Sequence, residues 1–295
     1  MNINDLKIFQ AVAEHGSFTK AALTTNTVQS NVTARIKYLE EYFNAKLFIR
    51  STRKIELTEE GLLVLKAAKE LQVILDKTKS SIGKTLLSLK GTVKIGCLHS
   101  TAALRIPSIL RSFTNTYPDI EFRLKTGITS DLIKEVLSFK LDGAFISGDI
   151  ENNLLDTKHV VMEELCIVAS SITKSLEQLS KIDKPLKLIV FNKGCAYREL
   201  LIGILKEMDI DKYKIIEVDT LEGIVNSVED GIGITLLPLE LIKKNYSYRG
   251  LTTFLPPQKF SKCPTFFIKR TDFPMNEGYT LFIESIINSY SQNTQ

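Results

Sequence analysis

The chain has no tryptophan, only four cysteines and only eight prolines among its 295 residues. Cys97, Cys166, Cys195 and Cys263 lie far apart, with no CxxC spacing and no nearby histidine pair, so zinc sites and disulfide frameworks are excluded and reduced thiols are expected. No run of 18 or more apolar residues occurs, and the N-terminus lacks the basic, apolar and small-residue order of a secretion signal. A cytoplasmic protein with no membrane partner is expected. Catalytic motifs are also missing: there is no Ser/His/Asp order, paired-carboxylate site, Walker loop or GxGxxG. GIGIT at 231–235 leaves a helix and enters a strand, the reverse of a nucleotide loop. No catalytic residue, metal site or cofactor is therefore assigned.

What the chain does have is 44% apolar residues, enough for substantial cores, and a length that calls for two or three domains. Its net charge of +4 is unevenly placed. Cations exceed acids by three over residues 1–58 and by two over 59–90, whereas acids lead by one from 91 onward. A basic N-terminal part joined to a near-neutral body fits a polyanionic partner at one end, although +3 on a small domain is also compatible with ordinary charge scatter.

The N-terminal part reads as a helix-turn-helix. A first helix over Thr19–Leu23 follows a Ser17 cap, and its Ala21 and Ala22 let another helix approach closely. A second begins near Gln29, where Val32, Ile36, Leu39 and Phe43 fall on one stripe that faces a core. The opposite face carries Ser30, Ala34 and Lys37, flanked by Asn31, Thr33 and Arg35, all able to approach a phosphate or base edge. An amphipathic hairpin with a merely solvated outer face would show the same pattern. The next segment adds weight to the DNA reading. Leu47–Ile49 and Ile55–Leu57 read as two short strands around Arg50, Ser51, Thr52, Arg53 and Lys54, a basic-tipped wing suited to the phosphate backbone, or else a basic surface turn.

Residues MNINDLKIFQAVAEHGSFTKAA, VQSNVTARIKYLEEYFNAKLFIR and LTEEG match in order and spacing the N-terminal domain of LysR-type bacterial transcriptional regulators, and the chain resembles that family. The resemblance implies that Gln29, Ser30, Asn31, Thr33 and Arg35 address the groove of double-stranded DNA, with Arg50 and Arg53 on the wing. Two residues depart from the commonest pattern: Val28 stands where a serine usually precedes the glutamine, and Ser30 where proline is usual. Asn26 or Thr27 is then expected to cap the helix.

Residues 58–89 read as one long helix. One seam, Leu62, Leu65, Ala68 or Lys69, Gln72, Leu75 and Thr78 or Lys79, is imperfect, while Leu63, Ala67, Leu71 and Ile74 form a better one. A long helix apolar on more than one side needs a partner, and its own copy in a homodimer or homotetramer is the simplest, beside packing on its own first domain. In the family resembled, such helices pair between subunits.

From Gly91 strands and helices alternate, which predicts β-α units and a parallel sheet. TVKIGCL, a helix over about Thr101–Phe113, IEFRL, a helix over Asp131–Phe139 and LDGAFIS build one unit. ELCIVAS, KLIVFN, a helix after Gly194, KIIEV, a helix over Leu221–Glu229 and GIGITLLP build a second; a strand Thr265–Ile268 and a helix Gly278–Ser289 return to the first. The expected fold is α/β with an all-α N-terminal part: a winged helix-turn-helix over 1–58, a linker helix over 59–90, and a two-lobed effector domain over 91–295. Its lobe I is about 91–161 and 267–295, and lobe II about 162–266. This part resembles the family's effector domain, itself similar to periplasmic solute-binding proteins.

Ligands in open α/β sheets bind beyond the carboxyl ends of the strands. That rule selects His99, Ser100 and Thr101 after the first strand, Thr126, Gly127 and Thr129 after the second, Ser147 after the third, and Cys195, Tyr197 and Arg198 from the second lobe. Short hydroxyls facing an arginine suggest a small anionic metabolite; helix capping by Ser100 and Thr101 and a surface ion pair at Arg198 are the plainer readings. His99 could titrate near neutral pH, and Cys195 could be an activated thiol or, more simply, a quiescent one. The leading function is a ligand-controlled DNA-binding regulator, with RNA polymerase as a partner if it activates. A small-molecule α/β enzyme with an incidental helical N-terminus is the alternative, and a solute-binding transport component the third.

Overall fold

The computed structural model describes residues 1–50, 55–82, 91–148, 150–176, 185–273 and 278–283. These residues fall into two compact units, one of residues 1–50, 55–82, 138–140 and 272–273, the other of residues 91–137, 141–148, 150–176, 185–271 and 278–283.

In the first unit, α1 (Ile3–His15) starts with a reciprocal cap: Asn2 Oδ1 accepts the Asp5 N–H at 2.9 Å while the Asp5 carboxylate accepts the Asn2 N–H at 2.8 Å. Helix α2 (Phe18–Thr24) is capped by Ser17, as expected, and α3 (Gln29–Tyr42) follows. Leu6, Ile8, Phe9 and Val12 of α1, Ala21 and Ala22 of α2, and Val32, Ile36 and Leu39 of α3 make the core, each burial stabilising by roughly 1–3 kcal/mol. Phe43 does not join the stripe. It is the C-cap residue of α3, stays 39% exposed and packs edge-on against Tyr42. Strands β1 (Phe48–Arg50) and β2 (Ile55–Leu57) pair antiparallel, and Glu40, buried at the end of α3, accepts the Leu47 N–H just before β1.

Helix α4 (Glu59–Ile82) begins where Thr58 Oγ1 accepts the Gly61 N–H at 2.9 Å. Gly61 is required there, since a Cβ would lie 2.2 Å from the Leu47 carbonyl oxygen. Val64, Leu65 and Ala68 are buried, whereas Leu63, Ala67, Leu71 and Ile74 are exposed. The helix thus divides its apolar residues between an inner face and an uncovered one. The expected helical residues 83–89 lie outside the described residues.

The second unit holds β3 (Gly91–Cys97), α5 (His99–Leu104), α6 (Ile106–Thr116), β4 (Ile120–Thr126), α7 (Thr129–Leu137), β5 (Gly143–Ser147), β6 (Leu155–Ser170), β7 (Leu186–Val190), α8 (Ala196–Glu207), β8 (Tyr213–Glu217), α9 (Leu221–Glu229), β9 (Thr235–Pro238), α10 (Leu239–Asn245), β10 (Leu251–Phe254) and β11 (Lys262–Arg270). The helix expected over 101–113 is two. Pro107, which lacks an N–H, sits in the first turn of α6, and the chain breaks at Arg105 with φ −120° and ψ −40°. The helix expected to reach Phe139 ends at Leu137, and Phe139 turns into the left-handed region at φ 56°.

The principal sheet has the order β10-β6-β11-β5-β3-β4, with β9 also on β6. It is mixed where a parallel sheet was expected: β3 runs parallel to β4 and β5, but β11 lies antiparallel to both β5 and β6. The cause is β6, a 16-residue strand in place of the short ELCIVAS strand. Its first half pairs with β11 and its second half, from Leu165, pairs with β9 and β10. Strands β6 and β11 therefore carry the chain between two lobes. Strands β7 and β8 pair in parallel and join the second lobe through a bridge between Leu188 and Ile234. Residues 278–283 are helical, and the rest of the expected final helix lies outside the described residues.

Candidate DNA-reading face and effector cavity

Helix α3 presents its expected outer face to solvent: Gln29, Ser30, Thr33, Ala34, Arg35 and Lys37 are exposed and Asn31 is half-buried. Several of these side chains are already oriented. Gln29 Oε1 accepts from Thr19 Oγ1 at 3.1 Å, so its amide N–H groups remain to face outward. Thr33 Oγ1 donates to the Gln29 carbonyl, and Lys37 pairs loosely with Glu41 at 3.7 Å. Arg35 lies 3.4 Å from Asp5, whose side chain is 2% exposed, so α1 aims the guanidinium. The cap of α3 is Val28 and makes no side-chain cap bond. Neither expected substitute caps it: Asn26 adopts φ 51°, and Thr27 Oγ1 accepts from Asn31 Nδ2 at 2.8 Å. Arg50 lies in β1, while its side chain and residues Arg53 and Lys54 lie outside the described residues.

In the second unit a pocket opens at the carboxyl ends of β3, β4, β5 and β7. It collects His99, Ser100, Gly127, Thr129, Ser147, Cys195 and Tyr197 from the expected set. Three others stand elsewhere. Thr101 is buried inside its lobe at 2% exposure, Thr126 is exposed on β4, and Arg198 turns away. Arg198 Nη1 donates to Glu217 Oε1 on β8 at 2.5 Å and to the Phe191 carbonyl, which makes it a brace of the second lobe. The surface ion pair read from sequence is thus present, half-sunk, with the guanidinium side chain 11% exposed.

The polar lining is tied together before any ligand arrives. Thr129 Oγ1 donates to the Ser147 carbonyl at 3.2 Å, and Ser147 Oγ lies 3.4 Å from Tyr197 OH and 3.3 Å from Thr265 Oγ1. Tyr197 is buried, which pushes its phenol well up, so it acts as a neutral hydrogen-bonding group. His99 stacks flat on Phe191, ring centroids 4.6 Å apart and 12° from parallel. Burial lowers its pKa and so favours the neutral ring, a shift that the Asp219 carboxylate opposes. Burial also raises the Cys195 thiol, outweighing the adjacent backbone N–H groups of Arg198 and Tyr197, so this residue is not an activated thiolate. The lobes meet closely at Gly194, with φ 101°, where the Ser130 N–H donates to its carbonyl and a Cβ would lie 2.2 Å from Ser130 Oγ.

The strand-end rule also reaches Leu98 and Ala196, which line the cavity, but sequence reasoning passed over the apolar walls Ile128, Phe191, Leu221 and Leu237. Phe191 directly follows β7, so the rule reaches it once apolar residues are admitted. Among the described residues, no formally charged side chain lines this cavity. Among the described residues, no group of three or more His, Cys, Asp or Glu side chains is placed to hold a metal, and no helix is long and apolar enough to cross a membrane.

Two family models match the chain: bacterial regulatory helix-turn-helix protein, lysR family, over residues 3–62, and LysR substrate binding domain over residues 88–290. The HTH-type transcriptional regulator CzcR of Bacillus anthracis is 37% identical over 286 residues, 97% of each chain. The HTH-type transcriptional regulator GltR of Bacillus subtilis (strain 168) is 34% identical over 283 residues, 96% of this chain and 95% of GltR. Among solved structures, ArgP from Mycobacterium tuberculosis shares the fold with a TM-score of 0.72 at 15% identity, over 97% of this chain and 96% of ArgP. With a DNA-reading helix pair at one end, an effector-binding domain at the other and regulators as relatives along its whole length, the chain belongs to the LysR family of DNA-binding transcriptional regulators and is not an enzyme.

Proposed function

We propose that this regulator responds to a small, mainly apolar molecule held in the cavity between the two lobes of residues 91–295. The observation that carries the reading is the convergence of His99, Ser100, Gly127, Thr129, Ser147, Cys195 and Tyr197 on one pocket at the carboxyl ends of the strands, where open α/β sheets bind their ligands. The anion expected from sequence relied on Arg198, and that cation belongs to Glu217. The ligand class accordingly shifts to one whose flat or branched apolar body packs against Phe191, Leu221 and Leu237 and whose hydrogen-bonding end meets the hydroxyls.

On the DNA side, Gln29, Ser30, Asn31, Thr33, Arg35 and Lys37 address the groove, and Arg50, Arg53 and Lys54 the phosphates. The linker helix, taken as residues 59–90, pairs with its copy through the exposed Leu63, Ala67, Leu71 and Ile74, so that a dimer or a pair of dimers spaces the reading heads. The protein works in the cytoplasm, and where it activates it also meets RNA polymerase. A thermal-shift screen of small aromatic and aliphatic alcohols, amides and acids against the full-length chain tests the cavity. Ligands that raise the melting temperature should lose that effect in Ala196→Phe, which fills the cavity. A ligand whose effect survives Ala196→Phe binds somewhere else and removes the cavity from the reading.

A further inference from the structure

Val28 occupies a position at which valine is disfavoured twice. As the N-cap of α3 it offers no oxygen to the first-turn N–H groups, and its neighbours Asn26 and Thr27 do not supply one. An apolar residue in place of Ser, Thr, Asn or Asp at such a position ordinarily costs a helix part of its stability. The other helices of this unit use the favoured chemistry at their starts, Asn2 for α1, Ser17 for α2 and Thr58 for α4. The isopropyl group also goes without packing in return, being 63% exposed. A local rule broken with no gain inside the fold points to a contact outside it.

The surface outside is that of DNA. Residues at the N-terminal end of a recognition helix are those that reach base edges in the major groove, and the apolar feature displayed there is the 5-methyl group of thymine. The residues beside Val28 are polar: Gln29 is held by Thr19 with its amide N–H groups free to donate, and Ser30 is exposed. We propose that Val28 is a specificity-determining residue, its exposed isopropyl group packing on the methyl of a thymine in the DNA site beside the hydrogen bonds of Gln29. This goes beyond DNA binding as such, because it names one base and the atom by which it is recognised.

The test uses the full-length protein and a DNA site selected from random sequence by the wild-type chain. Each thymine of that site is replaced in turn by deoxyuridine, which deletes the methyl and nothing else. At one thymine per half-site the wild type should lose about fourfold in affinity, the value of one buried methyl group. Val28→Ser should melt no lower than wild type, because serine restores the cap, and should bind the thymine and deoxyuridine sites equally. Wild-type binding indifferent to every methyl, or a Val28→Ser protein as sensitive as wild type to the same methyl, would overturn the assignment; the second result would place the methyl against another residue or the sugar-phosphate backbone.

Discussion

His99 shows how a single residue is shaped by the cavity. Stacked on Phe191 and partly desolvated, its ring resists a proton that the unfolded chain would accept near its ordinary value of 6.5. The unfolded state therefore binds more protons than the folded one below that value, and stability contributed by the neutral ring is lost as pH falls. Compared with His99→Phe, which keeps the stack, the wild type should melt progressively lower between about pH 7.5 and about 5.5. Parallel melting curves would show that the imidazole is well solvated. At this scale the strand-end rule found most polar cavity residues because hydroxyls near a strand terminus are visible locally. It misplaced Arg198 because Glu217, its partner, comes 19 residues later on another strand. Thr126 was misplaced because strand ends on the sheet edge face solvent as easily as a cleft.

Among elements, α4 was read most fully, since a helix of 24 residues leaves its apolar spacing unambiguous, and its better seam is the face left uncovered. Leu71→Glu places a charge on that face, and should turn a dimeric protein into monomers or smaller assemblies without lowering its helix content; light scattering and circular dichroism decide. A wild type that remains monomeric at micromolar concentration would remove the paired linker. The element least legible was β6, whose first half, Leu155–Glu163, is mostly polar and exposed and so carries no strand alternation. The junction before α8 is more exacting. Gly194→Ala would need φ 101° and would meet Ser130 Oγ, so we expect a loss of about 1–3 kcal/mol in thermal unfolding. Adding Ser130→Gly should recover only the steric part. An alanine protein as stable as wild type would mean that the lobes do not approach as closely as described.

For the whole molecule, family and fold class were readable because the helix-turn-helix spacing and the β-α alternation are local signals repeated along the chain, whereas the mixed sheet arises from pairings between segments a hundred residues apart. A ligand in the cavity changes transcription only through a difference in its affinity for two arrangements of the assembly. The measurement that tests this most directly is DNase footprinting of the full-length protein on its selected site, with and without a ligand from the thermal-shift screen, repeated with Ala196→Phe. The account predicts a footprint of altered length or bend with ligand, little change in overall affinity, and no ligand response in Ala196→Phe. Identical footprints at a ligand concentration that saturates the thermal shift would contradict it.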